Sequence, residues 1–197
     1  TDFIRFLRDL PNFSGNRYLE LLGFSSPSDI QRIEKARELL NLDSTFYPTV
    51  HSVYGSSPLQ MHFVREKARH TSVSIHLLES HDEIDFQYDR GEIVAFLKRL
   101  GQHVKHNEMQ GRSAVDYLHS VGMLSFKKLL LVHLSAARVE DIDKLADYVP
   151  HAAWVICHRS NKHLGIERTN WETLKNAPLK MLIGTDSHLE GRIFQCF

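Results

Sequence analysis

Leu129-Leu130-Leu131-Val132-His133 runs four aliphatic residues straight into an imidazole. With no polar residue at alternate positions, such a run fits a strand covered on both faces, the situation of parallel strands between layers of helix. Working outward, short apolar runs bounded by turn residues recur along the chain. The predicted strands span residues 17–24, 45–52, 72–79, 128–134, 152–160 and 179–187.

The segments between them read as helices with recognisable ends. Ser28 followed by Gln31 has the spacing of a capping box, with Ile30, Ile33 and Leu40 on one face. Ser57-Pro58 supplies a cap and a first-turn proline ahead of a helix over 59–70. Helices over 91–100 and 113–121 run into Gly101 and Gly122, and two more are predicted over 139–148 and 170–176. Strand and helix in strict alternation predict an α/β fold with parallel strands and right-handed crossovers. Without internal repeats or a Pro/Gly/Ser linker, residues 1–197 read as a single domain. The polar stretch 102–111, between two helices, is suited equally to a lid over a site and to a solvated decoration.

Composition narrows the function classes. In 197 residues, 24 Lys plus Arg balance 24 Asp plus Glu, which excludes the basic excess of a dedicated nucleic-acid binder and a polybasic membrane anchor. No apolar run approaches the roughly 18 residues of a membrane span, so a soluble, cytoplasmic protein is expected. Cys157 and Cys196 belong to no C-x-x-C, which excludes a zinc ribbon and a disulfide framework. Cys157 is expected to be a small buried residue, Trp154 and Trp171 to pack in the core or between helix and barrel, and His103 and His106 to lie in solvent.

In parallel α/β folds chemistry gathers at the carboxyl ends of strands. Five consecutive predicted strands end in His51, His76, His133, His158 and Asp186. In Ile75-His76-Leu77-Leu78-Glu79, His76 and Leu78 share a face, and Glu79 falls just beyond the pleat, where its carboxylate can turn over the mouth. Spacing alone proposes His76, His133 and Asp186 around a divalent cation, with Glu79 as proton shuttle. Neither H-E-x-x-H nor the H-x-E with P-C-x-x-C pattern of nucleobase deaminases is present, so a metal site must be assembled from separate strands.

Pro48-Thr49-Val50-His51-Ser52-Val53-Tyr54, His76-Leu77-Leu78-Glu79-Ser80, Leu131-Val132-His133, Cys157-His158-Arg159-Ser160-Asn161 with Leu164-Gly165, and Gly184-Thr185-Asp186-Ser187 occur in that order. Together they resemble the amidohydrolase superfamily, in its branch of S-adenosylhomocysteine, guanine and aminodeoxyfutalosine deaminases and related chlorohydrolases. The resemblance implies a (β/α)8 barrel, here incomplete, with strands three to eight, and one divalent metal, zinc or iron. It makes His76 and Asp186 ligands, Asp186 also the acceptor of the water's proton, and Glu79 the acid/base, for which a raised pKa is expected. His133 then orients the attacking water, in place of the ligand role that spacing suggests. His51 and Asn161 would face the substrate. Arg159, with Arg138 near the same mouth, suits either an anionic group of the substrate or a surface ion pair.

The implied activity is deamination of a cyclic amidine, a nucleobase-like heterocycle, by a water activated at the metal. The alternatives are a related C–N or C–Cl hydrolase, and a catalytically inactive remnant. The last arises because the family draws two more ligands from an H-x-H on its first strand, and this sequence contains no H-x-H. His158 stands where the family has proline, and His188 follows Ser187 where the family has small residues. A complete barrel needs about 250 residues. The expectation is therefore a fragment of a larger enzyme, prone to aggregate through unpaired edges, acting on a small molecule and compatible with a homo-oligomer.

Overall fold

The computed structural model describes residues 16–23, 28–101, 109, 111–166 and 177–186. All six expected strands form, each shorter than its apolar run: β1 Arg17–Leu21, β2 Phe46–Val50, β3 Val73–Leu77, β4 Leu129–His133, β5 Ala153–Ile156 and β6 Lys180–Ile183. Every pairing among the described residues is parallel. β1 lies on β2 with Leu21 opposite Val50, and β3-β4-β5-β6 follow in order, with Leu77 opposite His133. Between β2 and β3 a side chain stands where the ladder would run. Thr49 Oγ1 accepts from the Ser74 amide at 3.1 Å and donates to the Ser74 carbonyl. Pairing resumes one step on, with a bridge between Ser52 and His76 and a 2.9 Å bond from the His76 amide to the His51 carbonyl. Six parallel strands in sequence order, with helices in the connections, follow the winding of a (β/α)8 barrel. A doubly wound sheet reverses its order partway.

The helices are α1 Asp29–Leu42, α2 Pro58–Lys67, α3 His81–Phe86, α4 Glu92–Arg99, α5 Ala114–Ser120, α6 Val139–Tyr148 and α7 His158–His163. Gly101 and Gly122 close α4 and α5 at φ +68° and +73°, the left-handed cap that glycine adopts without a Cβ penalty. Other expectations need correction. Ser28 has helical φ and ψ and makes no side-chain cap. The start of α1 is held instead by buried Asp29, which accepts from Gln60 Nε2 at 3.2 Å. The inward face of α1 is Asp29, Ile33 and Ala36, and Ile30 points out. α3 and α7 are absent from the sequence reading, and α7 takes residues assigned there to a strand. The helix predicted over 170–176, with Trp171, lies outside the described residues, as do His103, His106, Cys196, Ser187 and His188.

At α2 the capping box is complete: Ser57 Oγ accepts from the Gln60 amide at 3.3 Å, and Gln60 Oε1 accepts from the Ser57 amide at 3.3 Å. Because both side chains are buried, Ser57→Ala is expected to cost about 1–2 kcal/mol, read as a lower urea midpoint with unchanged slope.

The core is built from Val73, Ile75 and Leu77 of β3, Leu129 and Leu131 of β4, Trp154 of β5, and the inward faces of α2, α5 and α6. β6 departs from the expected two-sided burial: Met181, Leu182 and Ile183 are exposed among the described residues. No described helix is long and apolar enough to cross a membrane.

Candidate metal centre and active site

Parallel strands in register bring their carboxyl ends to one side, so residues that close β2, β3 and β4 become neighbours. The imidazoles of His51 and His76 stand 4.7 Å apart between ring centroids, and those of His76 and His133 stand 5.3 Å apart. Asp186 reaches them from beyond β6. A Cβ on Gly184 would sit 2.7 Å from Val155 Cγ1 and 3.1 Å from Cys157 Sγ, so glycine lets the end of β6 close against β5. His76, His133 and Asp186 then each offer a ligand atom within 4.8 Å of the others.

The backbone here is strained. Leu78 (φ +50°), His133 (+75°), Leu134 (+54°) and Asp186 (+61°) are all left-handed, at about 1–3 kcal/mol each for residues with a Cβ. They lie at the last residue of β4 and just past the ends of β3, β4 and β6. They are braced by bonds from the Leu134 amide to the Leu77 carbonyl (2.9 Å) and from the Ala136 amide to the Leu78 carbonyl (2.8 Å). Buried Trp154 adds a third brace, its Nε1 donating to the His133 carbonyl at 2.8 Å. The pleat of β3 ends at Leu77, so buried Leu78 does not share the face of His76 as alternation predicts.

The protonation chemistry favours cation binding. His76 Nδ1 lies 2.9 Å from the His51 carbonyl, which can only accept, so Nδ1 carries a proton and Nε2 is the ring nitrogen left for a cation. Burial, with the nearby His76, pushes His133 down to about 4, and burial with His76 also lowers His51. Both rings are therefore neutral at pH 7. His133 Nε2 is 3.6 Å from Glu79 Oε1. Burial, then the charge of Asp186, raises the pKa of Glu79, the direction expected for a proton carrier. Asp186 Oδ2 accepts from Ser160 Oγ at 2.6 Å. The Asn161 side chain favours a proton on the His133 ring. Neutral imidazole nitrogens and a carboxylate oxygen at this spacing fit zinc or a similar borderline cation.

His51, His76, Glu79, His133 and Asp186 thus come together as the spacing expects. His158 does not: the strand ends at Ile156, and His158 opens α7, exposed to solvent. Arg159 is half-buried on the same helix. Asn161 is buried, with Nδ2 donating to Ser135 Oγ. Ser160, Ser135 and Glu83 were missed by the sequence reading. The only signal for Ser160 and Asn161 was their place in the Cys157–Asn161 segment, and for Glu83 its place one helical turn after Glu79.

No family model and no curated protein matches the chain. Solved structures do. An aminofutalosine deaminase from Helicobacter pylori superposes with a TM-score of 0.78 at 25% identity, over 96% of this chain and 48% of that one. A guanine deaminase from C. acetobutylicum with guanine in its active site gives 0.66 at 18% identity, over 93% and 42%. An adenosine deaminase from Xanthomonas campestris with bound zinc gives 0.60 at 17% identity, over 88% and 37%. The chain spans less than half the length of each of these structures. The six consecutive parallel strands among the described residues thus follow the fold of these structures as a partial barrel.

Proposed function

We propose that the chain supplies the metal-holding and proton-transferring half of a hydrolase that deaminates a cyclic amidine in a nucleobase-like heterocycle. The observation that carries this reading is the convergence of His76, His133 and Asp186 within 4.8 Å, beside Glu79. His76, through Nε2, and Asp186 would hold the cation, zinc in the first instance and iron in the second. Bound there, it would supply Lewis acidity that makes a hydroxide nucleophile available near neutral pH.

The remaining work falls to the chain's own side chains. Asp186 takes the proton given up by the attacking water and passes it to the departing amine, which leaves as ammonia. Glu79, with its raised pKa, carries a proton to the ring nitrogen beside the attacked carbon. His133, neutral and fixed by its neighbours, hydrogen-bonds the attacking oxygen through Nε2. Ser160 holds one Asp186 oxygen, leaving the other to the cation. His51 flanks the ring, Arg159 is the candidate contact for an anionic substituent, and buried Asn161 acts on the substrate through His133.

A related C–Cl hydrolase is the second reading, favoured by the likeness to an atrazine chlorohydrolase from Arthrobacter aurescens complexed with zinc (TM-score 0.61, 14% identity). The inactive remnant is the third, favoured by the missing H-x-H. Zinc titration followed by product analysis separates all three. One equivalent of zinc is expected, with His76→Ala and Asp186→Asn each weakening it by more than about 100-fold, and ammonia released from aminopurines. Chloride released from chlorotriazines in place of ammonia supports the second reading. Failure to retain zinc supports the third.

A further inference from the structure

The last residue of the β3 ladder is Leu77, so the amides of the next two residues have no ladder partner. Leu78 is left-handed at φ +50°, a conformation its side chain resists. Both orphan amides end on one carboxylate. Glu83 Oε2 accepts from the Leu78 amide at 2.9 Å and Oε1 from the Glu79 amide at 2.7 Å. Glu83 is 3% exposed, in the first turn of α3. No cation pairs with it among the described ion pairs. A buried carboxylate is costly, and the two amides offset part of the cost. Burial outweighs them and raises its pKa to about 8, while the Glu79 and Leu78 amides pull it the other way.

Taking the proposed function as its premise, we infer that Glu83 is the positioning residue of the acid/base, its two oxygens clamping the Leu78–Glu79 turn so that the Glu79 carboxylate projects over the mouth. Glu83 touches neither His76 nor Asp186 in any hydrogen bond or ion pair of the described residues, so its role is separable from holding the cation. The clamp needs two acceptor oxygens. Glutamine has the same shape but one acceptor, and its NH2 would oppose the second amide. Aspartate keeps both oxygens on a stem shorter by one methylene.

The test is Glu83→Gln in the zinc-loaded protein, followed by steady-state kinetics, zinc content and amide hydrogen exchange. The expected result is a loss in kcat of about tenfold to a hundredfold, with KM within about twofold and zinc unchanged. The Leu78 and Glu79 amides should exchange at least about tenfold faster, while those of Val132 and Trp154 keep their protection. An unchanged kcat, or a loss of zinc and KM in step with kcat, overturns the inference. If the wild-type protein shows no turnover, the proposed function fails by itself. Exchange then decides the clamp alone: faster exchange at Leu78 and Glu79 supports it, and unchanged exchange overturns it. If Glu83→Gln does not fold, the wild-type amides carry the test. Protection at Leu78 and Glu79, which no strand partner explains, supports the clamp, and free exchange overturns it.

Discussion

Replacing Glu79 with glutamine is expected to lower kcat for ammonia release by about 10²–10⁴-fold, the usual worth of a positioned general acid/base. Glutamine keeps the size and hydrogen-bonding reach of the side chain but cannot store a proton. The retained shape predicts that KM stays close to wild type. Glu79 lies outside the His76, His133 and Asp186 group, so zinc content should also be preserved. The effect is expected to be large because the surroundings already tune this carboxyl. Burial and the charge of Asp186 raise its pKa, so the protonated form persists where a free carboxyl would have lost it. Initial rates of ammonia release, with zinc measured on the same samples, check the prediction. A kcat equal to wild type would remove Glu79 from the chemistry and leave its raised pKa as a consequence of burial alone.

Trp154→Ala is expected to cost about 3–5 kcal/mol, the range for truncating a buried aromatic side chain. Trp154 has no exposed surface, and it sits in the middle of the four-stranded ladder between β4 and β6. Set against a total of about 5–15 kcal/mol for a typical domain, that loss removes a large part of the native state's margin. Trp154→Phe separates packing from hydrogen bonding. It keeps most of the ring but leaves the His133 carbonyl without its 2.8 Å donor, at about 1–3 kcal/mol. Because that carbonyl belongs to a left-handed residue of the site, the phenylalanine variant should also bind zinc more weakly than wild type. Urea titrations of the three proteins, followed by zinc titration of Trp154→Phe, test both parts. Equal zinc affinity would mean that the His133 turn is braced by its other bonds.

The strands were legible because a run such as Leu129–His133 can bury itself in only one kind of place, whatever surrounds it. The cap at Ser57 was legible because Ser-Pro satisfies and pre-shapes a helix start within its own few residues. His158 shows where local reading stops. Nothing in Ala152-Ala153-Trp154-Val155-Ile156-Cys157 says where the ladder ends. It ends at Ile156 because β6 and β4 supply partners no further, and the freed chain turns into α7. Six-residue helices such as α3 and α7 are too short to print an apolar period.

The order of strands, the histidines and aspartate at their ends, and the carboxylate one step past β3 are properties of the sequence alone. Each depends on residue type and neighbours within a few positions. Tertiary structure decided which nitrogen of His76 is free, that Asn161 is buried against His133, that Asp186 is tied to Ser160, and that Glu83 holds the turn beneath Glu79. These are contacts between strand ends and helices brought together only when parallel strands align in register. Desolvation, which sets the protonation of His133 and Glu79, exists only once that packing has excluded water.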